Sequence, residues 1–217
     1  MDKLAAMLPP ILGGAKTTLS LFFLTLLLSL PIGLGLALLR VSALRVARQL
    51  VNAYIWLMRG TPLMLQLLFI YFALPLIPVI GLRLPDFPAA ITAFVLNYSA
   101  YFAEIFRAGI QAVDRGQYEA AKSLGMSYGQ TMRRIVLPQM VRHILPPMSN
   151  ETITLIKDTS LIYVLALNDI LRAARNIVQR DFTVTPFVVA AAFYLLMTFA
   201  LTWVFQRLEQ HYARQDQ

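Results

Sequence analysis

The hydrophobic positions of this chain gather into long runs, the first of them unbroken, instead of alternating. The first, Thr17 to Leu39, contains no charged residue, and about 20 apolar residues in a helix suffice to cross a hydrocarbon core of about 30 Å. Further runs lie at about 51–76, 89–106, 145–167 and 186–205. With the first at about 17–39, the pattern predicts five transmembrane helices in a single domain over residues 1–217. The first run exceeds the apolar core of a signal peptide, has no Ala-x-Ala-like cleavage site and continues through Pro31 and Gly33 to Arg40, so it is read as a retained helix. Gly13 and Gly14 are expected to end an N-terminal segment before it. Pro75, Pro78, Gly81, Pro85 and Pro88 mark an irregular connection after the second run, because proline and glycine break regular structure.

The polar interval at about 112–138 carries its own local signals. Ala120 and Ala121 favour helix, Gly125 stands where a helix commonly ends, and Ser127 with Gln130 has capping-box spacing. The interval therefore predicts a helix, a sharp turn and a second helix. On physical grounds two uses stand open. One is a solvated connecting hairpin; the other is a surface whose small residues admit another protein's backbone while Glu119 and Lys122 make polar contacts.

Composition agrees with the pattern: 58% of the 217 residues are hydrophobic and 14% charged, against about 25% charged in a soluble domain. The fold class expected is an all-α integral membrane protein. With no cysteine in the chain and His143 far from His211, thiolate chemistry is excluded and a metal site has no support. The net charge of +8 is assigned to topology and anionic lipid, not to nucleic acid. Five crossings put the termini on opposite sides. With the N-terminus outside and the C-terminus cytoplasmic, the inner segments hold Arg40, Arg45, Arg48, Arg107, Arg115, Lys122, Arg133, Arg134, Arg142, Arg207 and Arg214. The outer ones hold Lys3, Lys16, Arg83, Arg172, Arg175 and Arg180. Eleven against six makes the central polar interval cytoplasmic. Arg172, Arg175 and Arg180, on the opposite side, suit a surface-lying helix.

Ionisable side chains inside a span cost roughly 2.5–3.5 kcal/mol each and usually face a cavity or the bundle interior. In the fourth run Glu151, Thr154 and Asp158 recur at helical spacing and form one polar stripe, the candidate substrate pathway, while Lys157 lies off it and is assigned to pairing with a carboxylate on another helix. Asn97, Tyr101 and Glu104 share a face of the third run. Glu104 and Arg107, three residues apart, also suit simple pairing at the membrane edge. Arg59-Gly60-Thr61-Pro62 interrupts the second run; breaks at membrane depth either line a cavity, which would make Thr61 a pathway residue, or are buried in protein as a kink, which would leave Arg59 structural. Among the aromatic residues, which mostly suit membrane interfaces, Tyr163 follows the polar stripe and is the one to test for substrate contact. Gly13-Gly14-Ala15-Lys16-Thr17-Thr18 resembles part of a phosphate-binding loop, but Ala15 stands where that motif needs glycine and the upstream glycine is missing. No nucleotide site is read in the chain.

The pattern Glu119-Ala120-Ala121, three residues, Gly125, nine residues, Ile135-x-Leu137-Pro138 resembles the cytoplasmic signature of the permease subunits of bacterial ATP-binding-cassette importers. Thr17-Thr18-Leu19, Arg59-Gly60-Thr61-Pro62, Ala103-Glu104-Ile105 with Arg107-Ala108-Gly109-Ile110, and Asn150-Glu151 through Lys157-Asp158-Thr159-Ser160 look like the polar amino-acid branch, of the histidine, glutamine and arginine permease type. The resemblance spans nearly the whole chain. It implies a multi-pass subunit of the bacterial plasma (inner) membrane, paired with a second permease subunit as a homodimer or related heterodimer. It also implies two ABC ATPase subunits that bind ATP and Mg, and an extracytoplasmic amino-acid-binding protein. Glu119, Ala120, Ala121 and Gly125 would be the residues that couple to the ATPase, and a polar site would lie around the middle of the fourth span, favouring Glu151 for substrate contact. Transport would follow alternating access, with no catalysis and no cofactor on this chain. Two acids, Glu151 and Asp158, point toward a cationic amino acid such as arginine, lysine or histidine, against which stand Lys157 beside them and the glutamine, glutamate and cystine that the branch also carries. A stand-alone secondary transporter or channel would account for the intramembrane charges but not for the coupling signature; a membrane scaffold would account for the hairpin but not for the charges.

Overall fold

The computed structural model describes residues 2–78 and 81–213, with side chains over 5–78 and 81–212. Arg214 and the side chain of Lys3, both used above to orient the chain, lie outside the described residues. All regular structure among the described residues is helical.

Helix α1, Asp2–Val41, has 40 residues, about 60 Å at 1.5 Å rise per residue, roughly twice the thickness of a hydrocarbon core. The expected span at 17–39 is thus the C-terminal part of a longer helix. Gly13 and Gly14 do not end a segment, contrary to expectation; α1 passes straight through them. The N-terminal half is held by tertiary contact, since Met7, Ile11 and Ala15 are buried with Ile170, Ala173, Ala174, Ile177 and Ala190, and such burial outweighs the weak helix propensity of glycine. Gly14 also allows a close approach: a Cβ there would come within 2.5 Å of the Asp169 carbonyl.

Helix α2 (Arg45–Gly60) and helix α3 (Leu63–Leu68) meet at a bend of 104°. Pro62 explains it. The residue before a proline is pushed out of helical conformation, and Thr61 is extended at φ −121, ψ 145, with Pro62 at φ −62, ψ 134. After α3 the chain loosens into a π turn, Phe69–Ala73, and a 3₁₀ turn, Leu74–Leu76. Helix α4, Asp86–Ala112, is the centre of the molecule. Ala89, Ala90, Ala93, Phe94, Tyr98, Ala100, Phe102 and Ala103 are all buried along it, and its most extensive packing is against α1.

Two short helices, α5 (Arg115–Ser123) and α6 (Tyr128–Thr131), follow, then a π turn at Met132–Val136 and helix α7, Leu137–Asp158. Pro146 and Pro147 sit inside α7 without ending it. A 3₁₀ turn, Thr159–Leu165, leads to helix α8, Ile170–Asp181, and then to helix α9, Thr185–Ala213. The apolar face of α8 packs against α1 and α9, so Arg172, Arg175 and Arg180 belong to a helix seated on the bundle.

The solvent-accessible area, 13117 Å² for 24.4 kDa, exceeds the roughly 10,000 Å² of a compact soluble monomer of that mass. Much of the surplus is apolar, with Phe23, Leu27, Leu195, Leu196 and Phe199 all at least 60% exposed. Three described helices, Ala5–Val41, Asp86–Ala112 and Thr185–Tyr212, are long and apolar enough to cross a membrane, and the bent pair makes a fourth if it counts as one span. The run at 145–167, expected as a span, is not among them. It straddles α7 and the 3₁₀ turn, and Glu151, Lys157 and Asp158 lower its apolarity.

Candidate functional site

Two polar regions stand out. The first is a cavity of about 410 Å³ where the α2–α3 bend, α4 and α7 converge. Arg59, Gly60, Thr61, Pro62 and Leu63 line it from the bend, Asn97, Tyr98 and Tyr101 from α4, and Glu151, Thr154 and Asp158 from α7. Helical spacing explains each set. On α7 the lining residues recur three or four apart, and on α4 Asn97 and Tyr98 lie four and three residues from Tyr101, so each set falls on one side of its helix; at the bend, the extended Thr61 and Pro62 turn the chain across the cavity's edge.

The chemistry of the walls is uneven. The Tyr98 hydroxyl donates to Asp158 Oδ2 at 2.8 Å, and Thr154 Oγ1 donates to the Asn150 carbonyl at 2.9 Å. Glu151 is half-buried and has no hydrogen bond or ion pair among the described residues. Against these two carboxylates the cavity sets one cation, Arg59, whose guanidinium carbon stands 5.2 Å from the centre of the Tyr101 ring. In their ordinary charge states the walls carry one net negative charge. Such a site suits a ligand with an ammonium or a cationic side chain, with Arg59 available for a carboxylate.

Of the pathway residues named from sequence, Asn97, Tyr101, Thr61, Glu151, Thr154 and Asp158 meet at this cavity. Glu104 does not line it. Its carboxylate is engaged by both Arg40 and Arg107 and lies 4.0 Å from Arg59, so it touches the cavity only through that arginine. Arg107 also bonds Gln111. Lys157 is exposed, and among the described residues it forms no ion pair with a carboxylate on another helix, contrary to expectation; the carboxylate its charge acts on is that of the adjacent Asp158. Tyr163 is also away from the cavity; Arg175 donates to its hydroxyl and stands 5.0 Å over its ring. Arg40, Tyr98 and Gln66 were missed as members of the region. Arg40 reads from sequence only as a flanking charge, and its separation of 64 positions from Glu104 leaves no local signal of contact.

The second region is the polar hairpin. Asp114 caps α5 by accepting from the Gly116 N–H at 2.7 Å. The helix closes with the Gly125 N–H on the Lys122 carbonyl and the Met126 N–H on the Ala121 carbonyl, both at 3.0 Å, a pairing that requires the left-handed residue supplied by Gly125 at φ +73. The capping box is present: Gln130 N–H to Ser127 Oγ at 3.3 Å, and Ser127 N–H to Gln130 Oε1 at 2.8 Å. Glu119, Ala120 and Gly125 are exposed, whereas Ala121 is fully buried against its own chain. Of the small residues expected to form an open face, Ala120 and Gly125 are exposed and Ala121 is not. Leu124 and Tyr128, 80% and 76% exposed, instead give the turn an apolar character.

Comparison with known proteins follows the same lines. Residues 29–214 match the family described as binding-protein-dependent transport system inner membrane component. The arginine transport system permease protein ArtQ of Bacillus subtilis (strain 168) is 36% identical over 210 residues, covering 96% of this chain and 95% of the relative. The glutamine transport system permease protein GlnP of Escherichia coli (strain K12) is 37% identical over 204 residues, covering 94% and 93%. Among solved structures, a crystal structure of an amino acid ABC transporter with histidines matches at TM-score 0.87 and 37% identity, over 96% of this chain and 97% of that one. The inward-facing MetNI methionine ABC transporter shares the fold at TM-score 0.75 and 16% identity, over 95% and 98%.

Proposed function

The chain belongs to the family of binding-protein-dependent transport system inner membrane components, and on that footing we propose that it is the membrane-spanning subunit of an ATP-driven importer of a polar amino acid. It is a multi-pass inner-membrane protein. The observation that carries the reading is the cavity, into which three separate stretches of the sequence contribute carboxylates, hydroxyls, an amide and one arginine.

In this reading the chain crosses the membrane five times with its N-terminus outside and its C-terminus in the cytoplasm. The bent pair α2–α3 supplies the second crossing, and α7 with its 3₁₀ continuation supplies the fourth, its polar stripe turned from lipid toward the pathway. A second permease subunit, the same or related, completes the membrane portion. Two ATPase subunits hold ATP and Mg, and an extracytoplasmic binding protein delivers the amino acid. The hairpin of α5 and α6 meets an ATPase subunit through Glu119, Ala120, Gly125, Leu124 and Tyr128. ATP-driven closure of the ATPase pair moves the hairpin and switches the cavity between the two sides of the membrane.

Glu151 makes no hydrogen bond or ion pair among the described residues and is therefore assigned to the ammonium or cationic side chain of the amino acid. A charge-assisted hydrogen bond to such a group contributes about 1.5–3 kcal/mol, so Glu151→Gln should lower affinity for labelled L-arginine roughly tenfold or more. Affinity for L-glutamine should fall too, because the α-ammonium is shared. Measured on the purified assembly, an unchanged affinity for both amino acids would remove Glu151 from the site.

A further inference from the structure

We propose that Gln66, one turn behind the cavity wall, is the positioning residue that sets the affinity of the site by locking the α2–α3 bend; the inference rests on the cavity being the amino-acid site. A helix that stops short leaves the carbonyls of its last turn without partners, and Pro62 can donate no N–H to them. The Thr61 hydroxyl donates to the Leu57 carbonyl at 2.8 Å. The Leu65 and Gln66 N–H groups bond the Pro62 carbonyl at 3.0 and 3.2 Å, and the Met58 and Thr61 carbonyls converge on one side-chain amide. Gln66 Nε2 lies 2.9 Å from the Met58 carbonyl, 3.2 Å from the Thr61 carbonyl and 2.7 Å from Thr61 Oγ1. Its Oε1 accepts from Asn97 Nδ2 at 3.0 Å, and the same Asn97 nitrogen donates to the Met58 carbonyl at 3.0 Å.

The orientation of this amide follows from chemistry, because two of its partners are carbonyls that can only accept. Gln66 itself does not line the cavity, yet Thr61 and Asn97, which do, are its direct partners, and Arg59 lies in the strand of chain it clamps. Removing its NH₂ leaves the Thr61 carbonyl without its donor and the Met58 carbonyl with Asn97 alone. The bend then loses its fixed angle, and with it the position of Arg59 opposite the two carboxylates.

The test uses the purified permease–ATPase assembly without binding protein, titrated with tritiated L-arginine and L-glutamine. Gln66→Met keeps length and packing but has no donor; Gln66→Glu keeps shape but turns acceptors toward carbonyls. Both variants are expected to weaken binding about five- to tenfold, the loss expected for one hydrogen bond group. The maximal uptake rate at saturating loaded binding protein, and the thermal unfolding midpoint, should stay near those of the parent. Glu151→Gln runs alongside. If it weakens binding and the Gln66 variants do not, the positioning role is overturned and the cavity stands. If the parent binds neither probe, or Glu151→Gln binds like the parent, the cavity reading falls and this inference with it. If the Gln66 variants lose affinity, maximal rate and unfolding midpoint together, Gln66 is a general fold contact and the inference is wrong.

Discussion

The Glu104 carboxylate meets Arg40 and Arg107 directly and faces Arg59 at 4.0 Å, so one acid joins the ends of α1, α2 and α4. All of these side chains are partly exposed, which limits the net value of each pair, since exposed pairs contribute about 0–1 kcal/mol. A carboxylate shared by several guanidinium groups is the arrangement in which charged hydrogen bonds keep more of their strength. Glu104→Gln should therefore destabilise the purified protein by about 1–2 kcal/mol, seen as a lower unfolding midpoint in detergent; an unchanged midpoint would show that these pairs contribute nothing net. The i, i+3 relation of Glu104 and Arg107 was legible in the sequence because helical geometry fixes it. Arg40 was not, because contact between α1 and α4 depends on tertiary packing that spacing within either helix does not encode. The same division holds at the cavity. Glu151, Thr154 and Asp158 were readable as one face of a helix, whereas the bond between Tyr98 and Asp158 needed two helices to be placed together.

At the scale of elements, the hairpin was the most legible part. Gly125, Ser127 and Gln130 act through bonds within a few residues of one another, and such signals are fully present in the local sequence. The burial of Ala121 was not, since which side of α5 faces the bundle is decided by where the bundle lies. The length of α1 was also hidden: Gly13 and Gly14 read as a stop by propensity, whereas α1 runs through both and the closeness of Asp169 makes Gly14 a point of contact. These facts make Gly125→Asp a discriminating substitution. Nothing lies within 4 Å of a Cβ at this position, and although φ +73 strains any L side chain, aspartate occasionally visits the left-handed region, so the strain stays local to the turn. The variant should fold and reach the membrane at near-normal abundance, and ligand capture by the binding protein should be intact. ATP-driven uptake should be lost, because charge and bulk have been added beside Leu124. Normal uptake at normal abundance would mean that this turn does not contact the ATPase.

On the scale of the whole molecule, composition made the membrane class plain, but the number of crossings was harder to read. The stripe that lines the cavity is the feature that keeps α7 from resembling a lipid-facing helix, so function and topology compete in one segment. The exposed apolar surface of α1 and α9 likewise makes the single chain incomplete, in need of lipid and partner subunits to cover it. The central claim, that this chain is the passive pathway of an ATP-driven importer, is tested most directly by reconstitution. The assembly in liposomes, with ATP enclosed or omitted and the loaded binding protein added or withheld, is followed by accumulation of labelled L-arginine and L-glutamine. Accumulation is expected only when ATPase subunits, ATP and loaded binding protein are all present. Accumulation by the permease chain alone, without ATP or an ATPase partner, would contradict it.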